Sequence, residues 1–300
     1  LATDLATDMS TGTDLGTDMS TGVFFIIITA ALLHAGWNAL VKSGVDKSLG
    51  VNAVVLGQGL FGAVALLFVP APNAASWGYI LVGAALHIGY QLFLTASYRI
   101  GDLTQVYPIA RGTAPMLVAL VSVLFLGVVL SLHEIIAIAL IGLGIMSLSL
   151  VRHTEGQSNR LAAILALTTG CFIASYSLVD GLGARVALSP LGFYGWLAIL
   201  NAIFMMTITR LHQPHLLPKL WRAWKVVLLG GGASFIAFGL VIYAFTIAPI
   251  ALVTALRETS IIFALIIGVF FLKERLNLIK VVSTMITISG VILLRLGKGS

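Results

Sequence analysis

Three ionisable side chains sit inside long apolar runs of this chain: Arg111, Arg257 and Glu258. At mid-bilayer a charge costs about 2.5–3.5 kcal/mol, so each needs a reason to be there. Glu258 is the one acid expected in those runs. A carboxylate satisfies one guanidinium through a bidentate pair, which leaves the other arginine for a carboxylate or phosphate of a ligand. Two cations against one anion point to an anionic or zwitterionic ligand. The alternative role of all three is to tie helices together.

Other polar and aromatic groups recur at helical spacing. His34, Trp37 and Asn38 fall at i, i+3 and i+4, and His87, Tyr90, Gln91 and Tyr98 follow one stripe of another run. Tyr107, Ser175, Tyr176, Phe238 and Tyr243 add hydroxyls and rings. An apolar lining with a few hydrogen-bonding groups is how small-molecule sites are built. The same groups also serve as interhelical packing contacts. His34, His87 and Glu258 are the titratable candidates for proton coupling. Pro108 and Pro115 flank Arg111, so that run can bend or gate there. Trp77, Trp221 and Trp224 lie near run ends, as interfacial anchors do.

The elements that must position these residues are membrane helices. Hydrophobic residues make up 59% of the chain and charged residues 9%, against about 25% charged in soluble domains. Mean hydropathy is +1.07. Ten continuous apolar runs are visible, at 23–41, 49–69, 77–98, 103–126, 132–151, 161–179, 191–209, 226–247, 250–272 and 278–296. Each approaches the roughly 20 residues that span a bilayer as a helix. A β-barrel would show short alternating strands instead. The expectation is an all-α integral membrane protein of ten transmembrane helices. Arg111 then lies roughly 13 Å deep and Arg257 roughly 10 Å deep, entering from opposite faces.

The net charge is +6, but the basic residues cluster in the gaps between runs, which reads as membrane topology and not as a nucleic-acid surface. Twelve of them follow odd-numbered runs; Arg185, Arg295 and Lys298 do not. The positive-inside rule then places both termini outside. Residues 1–22 are a low-complexity tail in which Thr-Asp-Met-Ser-Thr-Gly occurs twice. It is expected to be appended or disordered and is set aside.

No metal site, cofactor or disulfide is expected. Cys171 is the single cysteine, and His212 and His215 have no convergent partners. The Gly57, Gly59 and Gly62 pattern resembles a dinucleotide loop but lies in an apolar run, where it reads as a packing face, as do Gly230, Gly231 and Gly232. Paired carboxylates or a nucleophile with a base are not apparent, so enzyme chemistry is not expected.

The chain repeats. One offset pairs Arg111 with Arg257, Thr113 with Thr259, Leu130 with Leu276, Leu132 with Leu278 and Gly144 with Gly290; a slightly shorter one pairs Leu40-Val41 with Leu178-Val179. Residues 23–152 and 161–300 thus form two five-helix repeats around a central cavity, joined by a linker at 153–160. A unit of five crossings ends opposite where it began, so the second copy is inverted. Inverted repeats place a site near the midplane and support alternating access.

At residues 96–103, Ala-Ser-Tyr-Arg-Ile-Gly-Asp-Leu, and at 272–276, Leu-Lys-Glu-Arg-Leu, the sequence resembles the drug/metabolite transporter superfamily, ten-helix exporters with paired EamA-type domains that include YddG-like proteins. The resemblance spans 23–296. It departs at Gly127-Val128, where the family often has Gly-Glu, and many members keep their termini cytoplasmic. The resemblance implies a multi-pass protein of the bacterial inner membrane that exports small metabolites, most readily amino acids, with lipid and a small-molecule substrate as its partners. Exchange of organic anions or sugar phosphates is the second option, and a channel is the option from another class.

Overall fold

The computed structural model describes residues 20–43, 46–100, 103–150, 160–270 and 278–296. Most of the expected tail, nearly all of the linker and the 272–276 motif lie outside the described residues, as does the side chain of Tyr98.

The apolar runs fold as helices because lipid offers no partner for a backbone amide or carbonyl. They are α1 (Thr21–Ser43), α2 (Lys47–Ala65), α3 (Trp77–Ile100), α4 (Leu103–Phe125), α5 (Leu132–Ser147), α6 (Arg160–Val186), α7 (Pro190–His212), α8 (Gly231–Ile247), α9 (Ile250–Arg257), α10 (Ser260–Phe270) and α11 (Leu278–Leu296). Side-chain caps set several starts. Asp46 accepts from the Leu49 amide at α2, Ser131 and Glu134 form a reciprocal capping box at α5, and Ser189 caps α7 just before Pro190. Glu134 thus puts an acid a few residues after the Gly127-Val128 departure.

Among the described residues nine helical segments are long and apolar enough to cross a membrane, with α9 and α10 together making one of them. The shorter α5 is continued by a 3₁₀ turn, Leu148–Leu150. A π-helical turn, Val226–Gly230, leads into α8. Both Pro108 and Pro115 lie inside a continuous α4. The sixth run is longer than its expected limits of 161–179, and α6 therefore carries Asp180 and Arg185 within the helix.

The two halves interlock symmetrically. α1 packs on α8 and α10, while α6 packs on α3 and α4; α2 meets α7, α4 meets α9 and α5 meets α11. Exchanging α1 with α6, α2 with α7, α3 with α8, α4 with α9 and α10, and α5 with α11 maps this set of pairs onto itself. The repeat-matched Gly144 and Gly290 do the same work at the α5–α11 crossing. A Cβ on Gly144 would stand 2.9 Å from the Thr287 amide, and one on Gly290 2.8 Å from the Ala137 carbonyl. Beside them the Ser147 and Ser283 hydroxyls share a 2.6 Å hydrogen bond.

The glycines of α2 also form a packing face. Gly59 meets Ala202, Gly62 meets Gly195, and Gly57 lies against the backbone of Val227 and Gly231. A methyl group on Gly57 would meet a carbonyl oxygen that cannot rotate away. Gly57→Ala is expected to cost about 1–3 kcal/mol through overpacking. Gly78→Ala, at a position with nothing within 4 Å, should leave the melting temperature in detergent unchanged. Equal melting of the two variants would show that the α2–α8 crossing is not close-packed.

Large apolar side chains such as Leu67, Phe68 and Phe125 face outward, as lipid requires. Trp221 and Trp224 are exposed near a span end, whereas Trp77 packs against Trp196 at 5.2 Å.

Candidate functional site

The charged residues meet where α4 crosses the α9–α10 junction. Arg111, on α4, places Nε 2.8 Å from Glu258 Oε2 and donates from Nη2 to Ser260 Oγ at 3.1 Å. The Nε approach is off the N–H axis, so it is an ion pair more than an aligned hydrogen bond. At Glu258 and Thr259 the backbone tightens: their amides donate to Ala255 and Leu256, three residues back. A 3₁₀-like turn therefore separates α9 from α10 without breaking the hydrogen-bond ladder.

Arg257 ends α9 and is differently placed. Its guanidinium carbon lies 5.9 Å from the Tyr176 ring and 6.0 Å from the Phe238 ring. Its nearest acid is Glu258 Oε1 at 3.7 Å, and that carboxylate is already engaged by Arg111. Among the described residues Arg257 Nε and Nη2 have no hydrogen-bond partner, although the side chain is buried. Buried donors of this kind are rare and demand a partner.

A second pair lies against Tyr176. His87 Nε2 on α3 is 2.8 Å from Asp180 Oδ2 on α6. The His87 ring stacks on Tyr176 at 4.1 Å and meets Phe238 edge-on at 5.4 Å. Tyr90 contacts Tyr176 edge-on at 5.7 Å. Tyr194 continues the aromatic group to Phe238 at 5.1 Å and accepts from Gln58 Nε2, which also donates to Ser234. Gln91, one turn beyond His87, is buried, and its Oε1 has no hydrogen-bond partner among the described residues. The whole group joins α2, α3, α4, α6, α7, α8 and the α9–α10 junction, and so both halves.

The sequence profile of one transporter family matches this chain twice, over residues 20–150 and 160–296. The chain belongs to the EamA-like transporter family. It is therefore a multi-pass membrane transporter with two EamA halves, and not an enzyme. A solved crystal structure, described only as that of a protein, superposes with a TM-score of 0.73 at 19% identity, over 92% of this chain and 96% of its own. At that identity it shows the fold. No curated protein matches.

Of the residues expected in the site of this EamA-like transporter, the structure brings together His87, Tyr90, Tyr176, Phe238, Arg111, Arg257 and Glu258. Tyr107 joins them beneath the Arg111 guanidinium at 5.8 Å. His34 and Trp37 meet edge-on at 5.1 Å on α1, with His34 in electrostatic reach of both arginines and Trp37 Nε1 without a hydrogen-bond partner among the described residues. Asn38 donates to the His34 carbonyl of its own helix at 2.8 Å. Ser175 is half-buried beside Tyr176. Tyr243 does not belong. It is 46% exposed, because it stands five residues from Phe238, about 140° around the helix.

The expectation that Glu258 is the one acid within the spans is corrected by Asp180, which is fully buried. The expected sixth run, 161–179, stops just before it, at the first charge. Two signals pointed further: the apolar sequence resumes after Asp180, and Asp180 stands four residues from Tyr176, on the same helix face. Arg185, expected in a loop, donates from Nε to Phe245 O at 2.8 Å and from Nη2 to Ala248 O at 2.9 Å. It satisfies carbonyls at the C-terminal end of α8, where a cation is favoured. Tyr194 and Gln58 lay within spans but carried no charge to single them out.

Proposed function

We propose that this EamA-like transporter is a secondary carrier that exports small zwitterionic metabolites, amino acids above all, by alternating access. The reading rests on one observation: the Arg257 guanidinium is buried beside the Tyr176 and Phe238 rings, and its Nε and Nη2 have no hydrogen-bond partner among the described residues. A carboxylate is the group those donors fit, in the bidentate manner that favours arginine. Arg111 and Glu258 tie α4 to the α9–α10 junction. The rings of Tyr176, Phe238 and Tyr90 supply apolar contact for the rest of the ligand.

In this proposal the halves 23–152 and 161–300 rock about the cluster. The charge bias places both termini outside the bacterial inner membrane. The planar fork of Arg257 also takes a phosphate, which supports a second reading, exchange of organic anions or sugar phosphates.

Proteoliposome counterflow with a panel of amino acids, organic anions and sugar phosphates separates the two. Amino acids are expected to exchange and to raise the melting temperature, with phosphorylated sugars inert. Exchange confined to phosphorylated or dianionic solutes would replace the amino-acid reading. Single-channel currents would replace alternating access altogether.

A further inference from the structure

We propose that the end of α7 and the segment joining it to α8 form a docking surface for anionic phospholipid. The surface lies apart from the buried cluster, and the inference stands whichever solute the carrier moves.

Charge sets this segment apart. Between Asp180 and Glu258 the chain has no acid, yet residues 210–225 carry Arg210, Lys219, Arg222 and Lys225. The matching connection in the first half, residues 66–76 between α2 and α3, has no charged residue.

After α7 the chain folds into a 3₁₀ turn, Pro214–Leu216, and a single helical turn, Leu217–Leu220. Leu216 and Leu220 are buried, and Leu217, Leu220 and Ala223 share an apolar cluster with Leu49 and Ala53 of α2. Polar contacts pin the near end: Thr209 Oγ1 donates to Asn52 Oδ1 at 2.6 Å, and Ser48 Oγ to Gln213 Oε1 at 3.1 Å. With the leucines turned in, Lys219, Arg222 and Lys225 turn out. So do the indoles of Trp221, 86% exposed, and Trp224. Leucines on one side with cations and indoles on the other, at the end of a span, make an interfacial element.

The cations are free to take a headgroup. Among the described residues none of the four forms an ion pair, and Lys225 Nζ lies 5.7 Å from the Trp224 ring centroid. Asp46, at the neighbouring start of α2, is engaged as a cap, its Oδ1 accepting from the Leu49 amide at 3.0 Å. Each cation near an anionic membrane surface strengthens binding about fivefold.

A place for an acyl chain adjoins them. A crevice of about 310 Å³ between α3 and α7 is walled by Ala85, Ile88, Phe204, Thr207 and Ile208. Arg210 is exposed one turn beyond Thr207, nearer the end of the helix. A phosphate held at Arg210 lets its chain descend along α7 into this apolar slot, which a soluble anion cannot fill. That favours a lipid as the occupant.

Native mass spectrometry of the full chain in neutral detergent, titrated with phosphatidylglycerol and with phosphatidylcholine of the same chains, tests this. The wild type is expected to bind phosphatidylglycerol about fivefold more tightly or better, with the margin shrinking as salt is raised. Arg210→Gln, Lys219→Gln, Arg222→Gln and Lys225→Gln combined should abolish the preference and leave the melting temperature unchanged. Arg222→Gln alone should lose part of the preference and Arg222→Lys should keep it, so the outcome does not depend on the combined variant folding. Equal binding of the two lipids by the wild type overturns the proposal, and so does a preference that all these variants retain. Free glycerophosphoglycerol, the headgroup without chains, is expected to bind far more weakly than the lipid. If it binds as tightly, the surface is a site for soluble anions and the lipid proposal fails.

Discussion

Glu258→Ala is expected to be the most destabilising single substitution in the site, by about 3–5 kcal/mol, because it strands two buried guanidinium groups. Arg111 would lose its 2.8 Å partner and Arg257 its nearest acid. Ser260 would remain as a neutral acceptor for one Arg111 nitrogen. The loss should appear as a lowered melting temperature in detergent and in lipid. Adding Arg111→Leu to Glu258→Ala should recover part of it, since the second change removes one of the stranded charges. Non-additivity of that kind is the mark of direct coupling. A Glu258→Ala protein that melts with the wild type would mean that the ion pair does not hold α4 to the α9–α10 junction.

Arg257→Ala is expected to have the largest effect on transport, lowering exchange about 100-fold or more. That corresponds to some 2.7 kcal/mol of lost binding, within the range for removing a hydrogen-bonded charge from a buried pair. Stability should change far less than in Glu258→Ala, because Arg257 Nε and Nη2 make no hydrogen bond among the described residues. Arg257→Lys keeps the charge but loses the planar fork, and is expected to fall between the wild type and Arg257→Ala. Arg111→Ala should show the opposite balance, with stability lost first. Initial rates of counterflow and melting temperatures on the same preparations check all three.

The membrane helices were legible because spans of this length need nothing but a continuous apolar run, and the repeat followed from residues such as Gly144 and Gly290, which face each other's helix at the α5–α11 crossing. Arg111, Arg257 and Glu258 were legible through their cost, since a charge within a span announces itself. Asp180 was not, for a related reason. A charge near the edge of an apolar run looks like its end; the apolar residues beyond it hint at a longer helix, and the packing of α6 against α3 puts the carboxylate inside. Tyr243 failed in the other direction: its residue type suited a site, but its angle around α8 turns it to the outside. Aromatic residues carry no comparable sequence cost on either face of a membrane helix, so only packing separates a ring of the buried cluster such as Phe238 from one that faces lipid.

The most direct test of the central claim is whether Arg257 reads a carboxylate. Counterflow of an amino acid and of its own carboxamide should be compared in the wild type and in Arg257→Ala. The wild type is expected to prefer the acid by about 100-fold, the worth of a charge-assisted fork, and Arg257→Ala to lose that preference. If Arg257→Ala still prefers the acid as strongly as the wild type, Arg257 is not the group that binds the substrate carboxylate.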